Sequence, residues 1–395
     1  MSSVELVDEI RGAVSPFLER VTKIRRTLHQ NPELSRQEVR TTQFIYDQLM
    51  QAGLAPQKLS RTGLICDVYP DYLPAGQKLT AFRADIDALP IQETTELPFA
   101  SKVPGVSHSC GHDIHTTVIL GAALVSAKLA QAKKLTKPLR FIFQPAEEVQ
   151  PGGAIDVIDQ AGLQDVGIIY TLHSEPKIDV GRIGTRIGPI TSASDLLTVT
   201  LHSSGGHTSR PHLTGDLVFA LGQVITQVPA ILDRRLDPRS GVNLTWGSVQ
   251  AGNAPNAIPI TGTLRGTLRC LDVSAWETAA EVLHTALEQV VAPFNVDLEV
   301  DHFRGVPPVD NDAQATTNIE SAAQDLFGKG SVILTEQSLG GEDFAWYLTK
   351  VPGAMFRLGT RTPGGRTYDI HQGDLIVDEK AIEVGMQIVL RLALS

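Results

Sequence analysis

Apolar residues recur at helical spacing from the start of the chain: Val4, Val7, Ile10, Val14, Leu18, Val21 and Ile24 mark one face of an amphipathic helix. "RTTQFIYDQLMQAGL" predicts a second helix, ended by Gly53. The rhythm then shortens. "LICDVYP", "KLTAFRADI", "LRFIFQPA" and "DVGIIYTLH" are apolar runs of strand length, separated by helical stretches such as "TTVILGAALVSAKLAQA". Alternating strands and helices predict an α/β fold with a mostly parallel sheet flanked by helices on both faces. Sites in such sheets gather at the C-terminal ends of strands, and "FIFQPAEE" and "IIYTLHSE" carry polar residues just past their apolar runs.

Near residue 190 the pattern changes. "DLLTVTLHS" reads as a strand, "DLVFALGQVITQVPAIL" as a helix, and "NLTWGSVQ" and "AIPITGTLRGTLRCL" as two strands. "SAWETAAEVLHTALEQVVAPF" supplies another helix and "NVDLEVDHF" a last strand. The order β-α-β-β-α-β is the ferredoxin-like arrangement. It predicts an inserted module over 191–305, interrupting an outer domain made of 1–190 and 306–395. "DLLTVTLHS" is expected to leave an unpaired edge for self-association.

Composition narrows the function classes. The chain has 395 residues, 20% charged and 42% hydrophobic, as expected of a globular protein. Its net charge of −10 argues against a nucleic-acid partner. No signal peptide and no run of eighteen apolar residues is evident, so no membrane partner is expected. Three scattered cysteines, Cys66, Cys110 and Cys270, cannot make a disulfide framework. A reducing cytoplasmic location follows as the expectation.

The chemistry concentrates in "SHSCGHDIHTT". Cys110 could be a redox thiol, a nucleophile or a metal ligand. Its spacing to His112 suits one side of an extended segment just ahead of a helix, where a thiolate is stabilised. "QPAEE" adds adjacent carboxylates, Glu147 and Glu148, of which one could bind a metal while the other moves a proton. His173 in "TLHSEP" and His371 in "DIHQGD" complete a set of sulfur, nitrogen and oxygen donors. Such a set suits zinc, with manganese or cobalt as alternatives, and five ligands plus a spare carboxylate suggest two divalent cations. Rival motifs fail. "HSE" lacks the C-x-x-C of a zinc deaminase, and "GRIGTRIG" has the wrong spacing for a dinucleotide loop. A thiol-protease role for Cys110 leaves the carboxylates and distant histidines without work.

Seven segments, "RRTLHQNPELSRQE", "RADIDALPI", "HSCGHDIHTT", "FQPAEE", "GGHTSRPH", "NAPNAIP" and "GGEDFAWYL", follow one another across nearly the whole chain. Together they resemble the dinuclear metal amidohydrolases, a metallopeptidase-like family that includes aminoacylases, hippurate hydrolases and auxin-conjugate hydrolases. The resemblance implies Cys110, His112, Glu148, His173 and His371 as metal ligands and Glu147 as general base. It also implies that His207, from the lid of a partner subunit, reaches the active site, and that Asn256 contacts substrate. The broader metallopeptidase group has His-x-Asp where this chain has Arg83-Ala84-Asp85, which leaves Asp85 a supporting catalytic place at most. The segment after His371, "HQGDLIVDE", also departs from the Pro and aromatic residue usual there.

The implied activity is hydrolysis of an N-acyl amino acid or similar amide conjugate to a carboxylate and a free amine, by a homodimer. Arg210, Arg265 and Arg269 are candidates for holding a substrate carboxylate. A dipeptidase or carboxypeptidase would use the same ligands. A binding protein that has lost catalysis would not require Glu147 beside Glu148.

Overall fold

The computed structural model describes residues 3–395, which fall into two compact units. The first comprises Met1–Gly188, Asn311–Glu336 and Trp346–Ser395, and the second Pro189–Asp310 with Gln337–Ala345. The sequence pattern alone did not assign Gln337–Ala345, which lies within "QSLGGEDFA", to the inserted part.

The first unit is built on an eight-stranded sheet. Its centre is parallel: Leu139–Gln144, Leu79–Asp85, Val166–Asp179 and Gly353–Arg361 lie side by side. Leu64–Val68 joins one side antiparallel, and Ile183–Thr185 the other. Buried on both faces, Leu79–Asp85 has no exposed residue, as a central parallel strand requires. Helices flank the sheet, and the deepest is His112–Gln131, buried at every residue from His112 to Ala127. It packs between the helices Leu18–Gln30 and Lys380–Ala393 and against Leu79–Asp85. A helix that is apolar all round belongs in a core.

The opening amphipathic stretch is not one helix. Pro16 sits in a 3-10 turn, Ser15–Phe17, that separates Ser3–Val14 from Leu18–Gln30. Proline lacks the N–H an uninterrupted helix would use there. Val7, Ile10, Val14, Val21 and Ile24 do face the core, whereas Val4 is exposed.

The second unit carries a four-stranded antiparallel sheet in the order Asn243–Ala251, Thr261–Cys270, Ala193–His202, Asp297–Val306. Helices Leu217–Arg235 and Val273–Val291 pack on each other and on that sheet, burying Val199, Leu201, Val224, Leu264 and Leu283. Chain order and strand order together are those of the split β-α-β arrangement. The predicted edge is wrong: Ala193–His202 is a central strand, paired on both sides. Its alternation of buried Leu197, Val199 and Leu201 could equally have described a middle strand. The edges are Asn243–Ala251 and Asp297–Val306.

Two helices, His112–Gln131 and Leu217–Arg235, are long and apolar enough to cross a membrane by length and composition. The first is a core helix, with 89% of its apolar window buried; the second has 33% of its window buried, turning Leu221, Val224, Val228 and Leu232 inward.

Candidate metal centre

Cys110 and His112 do not share an extended segment. Gly111 between them adopts the left-handed conformation (φ 83°) and caps the helix that begins at His112. A Cβ at Gly111 would come within 2.5 Å of Ser174 Oγ, so only glycine fits. The turn buries both side chains, leaving Cys110 4% and His112 1% exposed.

Glu147 and Glu148 follow Leu139–Gln144 on a bent loop. Ala146 is left-handed (φ 56°), and its N–H donates to Glu38 Oε1 at 2.8 Å. Glu38 is itself fully buried and accepts a second bond from Thr62 Oγ1. That anchored kink lets adjacent carboxylates face one histidine: His112 Nε2 lies 3.8 Å from Glu147 Oε2 and 3.6 Å from Glu148 Oε1.

His173 is buried within Val166–Asp179 rather than at its end; the strand continues six residues beyond it. Its Nδ1 donates to the Ser174 carbonyl oxygen (2.8 Å), aiming Nε2 at Cys110 Sγ, 3.5 Å away. His371, also left-handed (φ 60°), donates its backbone N–H to the Ser109 carbonyl at 2.7 Å. Its Nε2 stands 3.5 Å from Glu148 Oε1.

The donor atoms therefore form overlapping groups, Cys110–His112–His173, Cys110–Glu148–His371 and His112–Glu147–Glu148, each with all atoms within 4.8 Å of one another. Cys110 is common to the first two. His112 Nε2 and Glu148 Oε1 are buried without a hydrogen-bond partner although they face each other. Buried polar atoms left in that state ordinarily signal a missing partner. A thiol, three imidazoles and a carboxylate suit borderline-soft divalent cations. The residues fit a dinuclear centre.

The same crowding of donors sets the electrostatics. Burial and the neighbouring Glu148 raise the Cys110 thiol pKa, so the helix start alone does not make a thiolate as the sequence suggested. A cation would supply the missing stabilisation. Burial works against a charged His112, yet Asp85 and Cys110 outweigh it and raise its pKa well above the ordinary value. His173 goes the other way, held neutral by burial and by Arg357. His371 is raised to about 10 by its contacts with Cys110 and Glu148.

Asp85 closes a supporting layer. Its Oδ1 accepts from His115 Nδ1 (2.7 Å) and its Oδ2 from Arg83 Nη1 (2.6 Å). His115 Nε2 meets Ser174, so that ring has no free donor atom for a metal. Sequence reasoning passed over Asp87. Its main-chain carbonyl accepts from His112 Nδ1 (3.0 Å), while Oδ2 accepts from Ser35 Oγ (2.6 Å) and from the Glu148 backbone N–H (3.0 Å). One residue thus braces two ligands and leaves His112 Nε2 as the ligating nitrogen. The alternation Asp85-x-Asp87 in "RADIDALPI" was the available signal, and His115 stands one helical turn after His112.

A model of peptidase family M20/M25/M40 matches residues 81–395. The chain belongs to that family. It is a metal-dependent amide hydrolase. Among solved structures it is similar to the Bacillus subtilis YXEP protein, described as a dinuclear metal binding peptidase of the M20 family. The TM-score is 0.82 with 34% identity, over 96% of this chain and 98% of that one. The N-acetylcysteine deacetylase of Bacillus subtilis is 35% identical over 95% of this chain and 97% of its own length. A protein of Rhodococcus jostii strain RHA1 named for a glutamate–cysteine ligase is 47% identical over 93% of this chain, which spans 46% of that longer protein.

The remaining sequence candidates belong to the second unit. His207 is exposed on the two-residue strand Gly206–His207, opposite Ala257. Its Nδ1 accepts from Ser209 N–H and Oγ, and the Thr208 N–H donates to the Asn256 carbonyl. Asn256 and Arg210 are exposed near it in the chain fold, the Arg210 N–H donating to the His207 carbonyl. Arg269 is partly buried with Nη1 on the Leu339 carbonyl at 2.5 Å, and Arg265 is exposed.

Proposed function

We propose that this enzyme cleaves the amide bond of N-acyl amino acids or related conjugates to a carboxylate and a free amine. The observation that carries the reading is the placement of Glu147: its Oε2 stands 3.8 Å from His112 Nε2, next to the Glu148 that groups with Cys110 and His371. Cys110, His112, Glu148, His173 and His371 would hold two divalent cations, zinc, manganese or cobalt. When bound, these cations supply Lewis acidity to the scissile carbonyl and acidify the attacking water. Glu147 takes the proton of that water and returns it to the leaving amine. Asp85, through His115, and Asp87, through His112, keep the surrounding rings in place. His207 contributes a hydrogen bond to the oxyanion, and Asn256, Arg210 and Arg269 receive the amino-acid part.

The relationship to an N-acetylcysteine deacetylase supports the N-acyl reading. We further assign the second unit to homodimerisation and the enzyme to the cytoplasm, where its three buried, unpaired cysteines stay reduced. The Asn243–Ala251 edge is the better self-association surface, because Asp297, Glu299 and Asp301 line the other with like charges. The test is a substrate panel with the metal-reconstituted protein: N-acetyl, N-benzoyl and longer N-acyl amino acids against dipeptides with a free amine. Preferential release of free amino acid from the N-acyl compounds is expected. Faster cleavage of the dipeptides would overturn the assignment.

A further inference from the structure

His371 is the most exposed of the five proposed ligands and lies where no helix or strand supports it, between Gly353–Arg361 and Lys380–Ala393. It also holds a left-handed backbone without being glycine (φ 60°). A non-glycine residue keeps such a conformation only when its surroundings over-determine it. One constraint is its N–H bond to Ser109. The other lies two residues on. Gly373 accepts from the Thr94 N–H at 2.7 Å, and a Cβ on Gly373 would stand 2.1 Å from the Gln92 carbonyl oxygen.

The Gln92–Thr94 segment is irregular as well, but it is tied to the core. Glu93 pairs through Oε1 with His29 Nε2 (3.2 Å) and through Oε2 with the Ser101 N–H (2.6 Å). His29 is buried and bonds Asp113 Oδ2 at 2.8 Å, which Arg25 Nε also meets at 2.7 Å. Asp113 directly follows His112 on the deepest helix. A continuous path of contacts therefore runs from the helix start through Asp113, His29, Glu93 and Thr94 to Gly373, and back through His371 and Ser109 to Cys110.

We propose that the Gln92–Thr94 strap is a positioning element for His371, with Glu93 seating the strap and Gly373 admitting it, so that it governs filling of the metal position made by Cys110, Glu148 and His371. The inference rests on the dinuclear reading above. Neither Glu93 nor Gly373 touches a donor atom of the cluster; each acts through the placement of the His371 backbone. The glycine is required by close approach. That gives a physical reason for the departure after His371, since "HQGD" supplies the one residue without a side chain where the strap crosses.

The test measures metal equivalents per chain and their affinities by titrating zinc into metal-stripped protein, for wild type, Gly373→Ala and Glu93→Gln. Wild type should take two equivalents. Gly373→Ala should keep one at wild-type affinity and bind the other about 10–100-fold more weakly, the range for losing support behind a ligand. Excess metal should restore much of its turnover. Glu93→Gln should show the same selective loss, smaller, and decides the matter if Gly373→Ala does not fold. Two equivalents at wild-type affinity in the folded variants, or equal weakening of both, would overturn the strap's role. A wild type that binds fewer than two equivalents would overturn the dinuclear reading instead.

Discussion

The two units carry their candidate chemistry in opposite ways. In the first, Cys110, His112 and His173 are buried, and the main-chain carbonyls of Asp87 and Ser174 orient the two rings. In the second, His207, Asn256 and Arg210 are exposed and held only by local bonds to Ser209, Thr208 and one another's backbone. Metal ligation demands fixed donors, because misplacement of a ligand forfeits affinity. Substrate handling tolerates, and for entry and release often needs, groups that become ordered only on closure. The difference separates metal retention from turnover: the first unit should account for the former without help from the second.

The sharpest break would be metal binding that ignores the first unit. Stripping with a chelator should abolish hydrolysis, and zinc, manganese or cobalt should restore it. Cys110→Ser should lower metal affinity, since two of the donor groups use that sulfur. A full complement under limiting metal would remove Cys110 from the centre.

The second unit is tested by separating the two readouts. His207→Ala should leave metal content unchanged and reduce turnover by about 10²-fold or more, as loss of an oxyanion donor does. If His207 serves the partner subunit, exchanging subunits between His207→Ala and Glu147→Gln proteins should regenerate intact sites. A statistical mixture is about half heterodimer, with one intact site in two, so recovery should approach about a quarter of wild-type activity. Verified exchange without recovery would confine His207 to its own chain.

A smaller effect tests how rigidly the first unit is preset. Burial alone would raise the Asp113 pKa, but Arg25 and His29 outweigh it and depress the pKa. Asp113 therefore stabilises the folded protein above the ordinary carboxylate pKa and loses that contribution as pH falls through its lowered value. Asp113→Asn should cost the metal-free protein about 3 kcal/mol near pH 7, because it removes the buried carboxylate paired with Arg25 Nε and leaves that guanidinium the longer ion pair to Glu379. The gap should narrow below about pH 4. Denaturant titrations at several pH values measure it, and a gap constant with pH would refute the charge-based account.

Much of this was legible in the sequence because it was written in periodicity. Short apolar runs announced the central strands, and the β-α-β-β-α-β order announced the second sheet. Periodicity has no term for what a neighbouring strand does, which is why Ala193–His202 could be mistaken for an edge. Nor does it report φ. The left-handed turns at Gly111, Ala146 and His371 aim three parts of the centre, and only the glycine advertised itself. Asp87 and Glu93 were hidden for another reason: they act on residues far along the chain through carbonyls and second partners. A ligand is read from its own chemistry, whereas a brace is read only from what it touches.

The central claim is that adjacent carboxylates divide proton transfer from metal binding. Its most direct test is the pair Glu147→Gln and Glu148→Gln, each assayed for bound metal and for turnover of an N-acyl amino acid. Glu147→Gln should retain both metal equivalents and lose about 10²–10⁴-fold in kcat. Glu148→Gln should lose affinity for the equivalent it shares with His371. Exchanged phenotypes, or a fully active Glu147→Gln protein, would contradict the account.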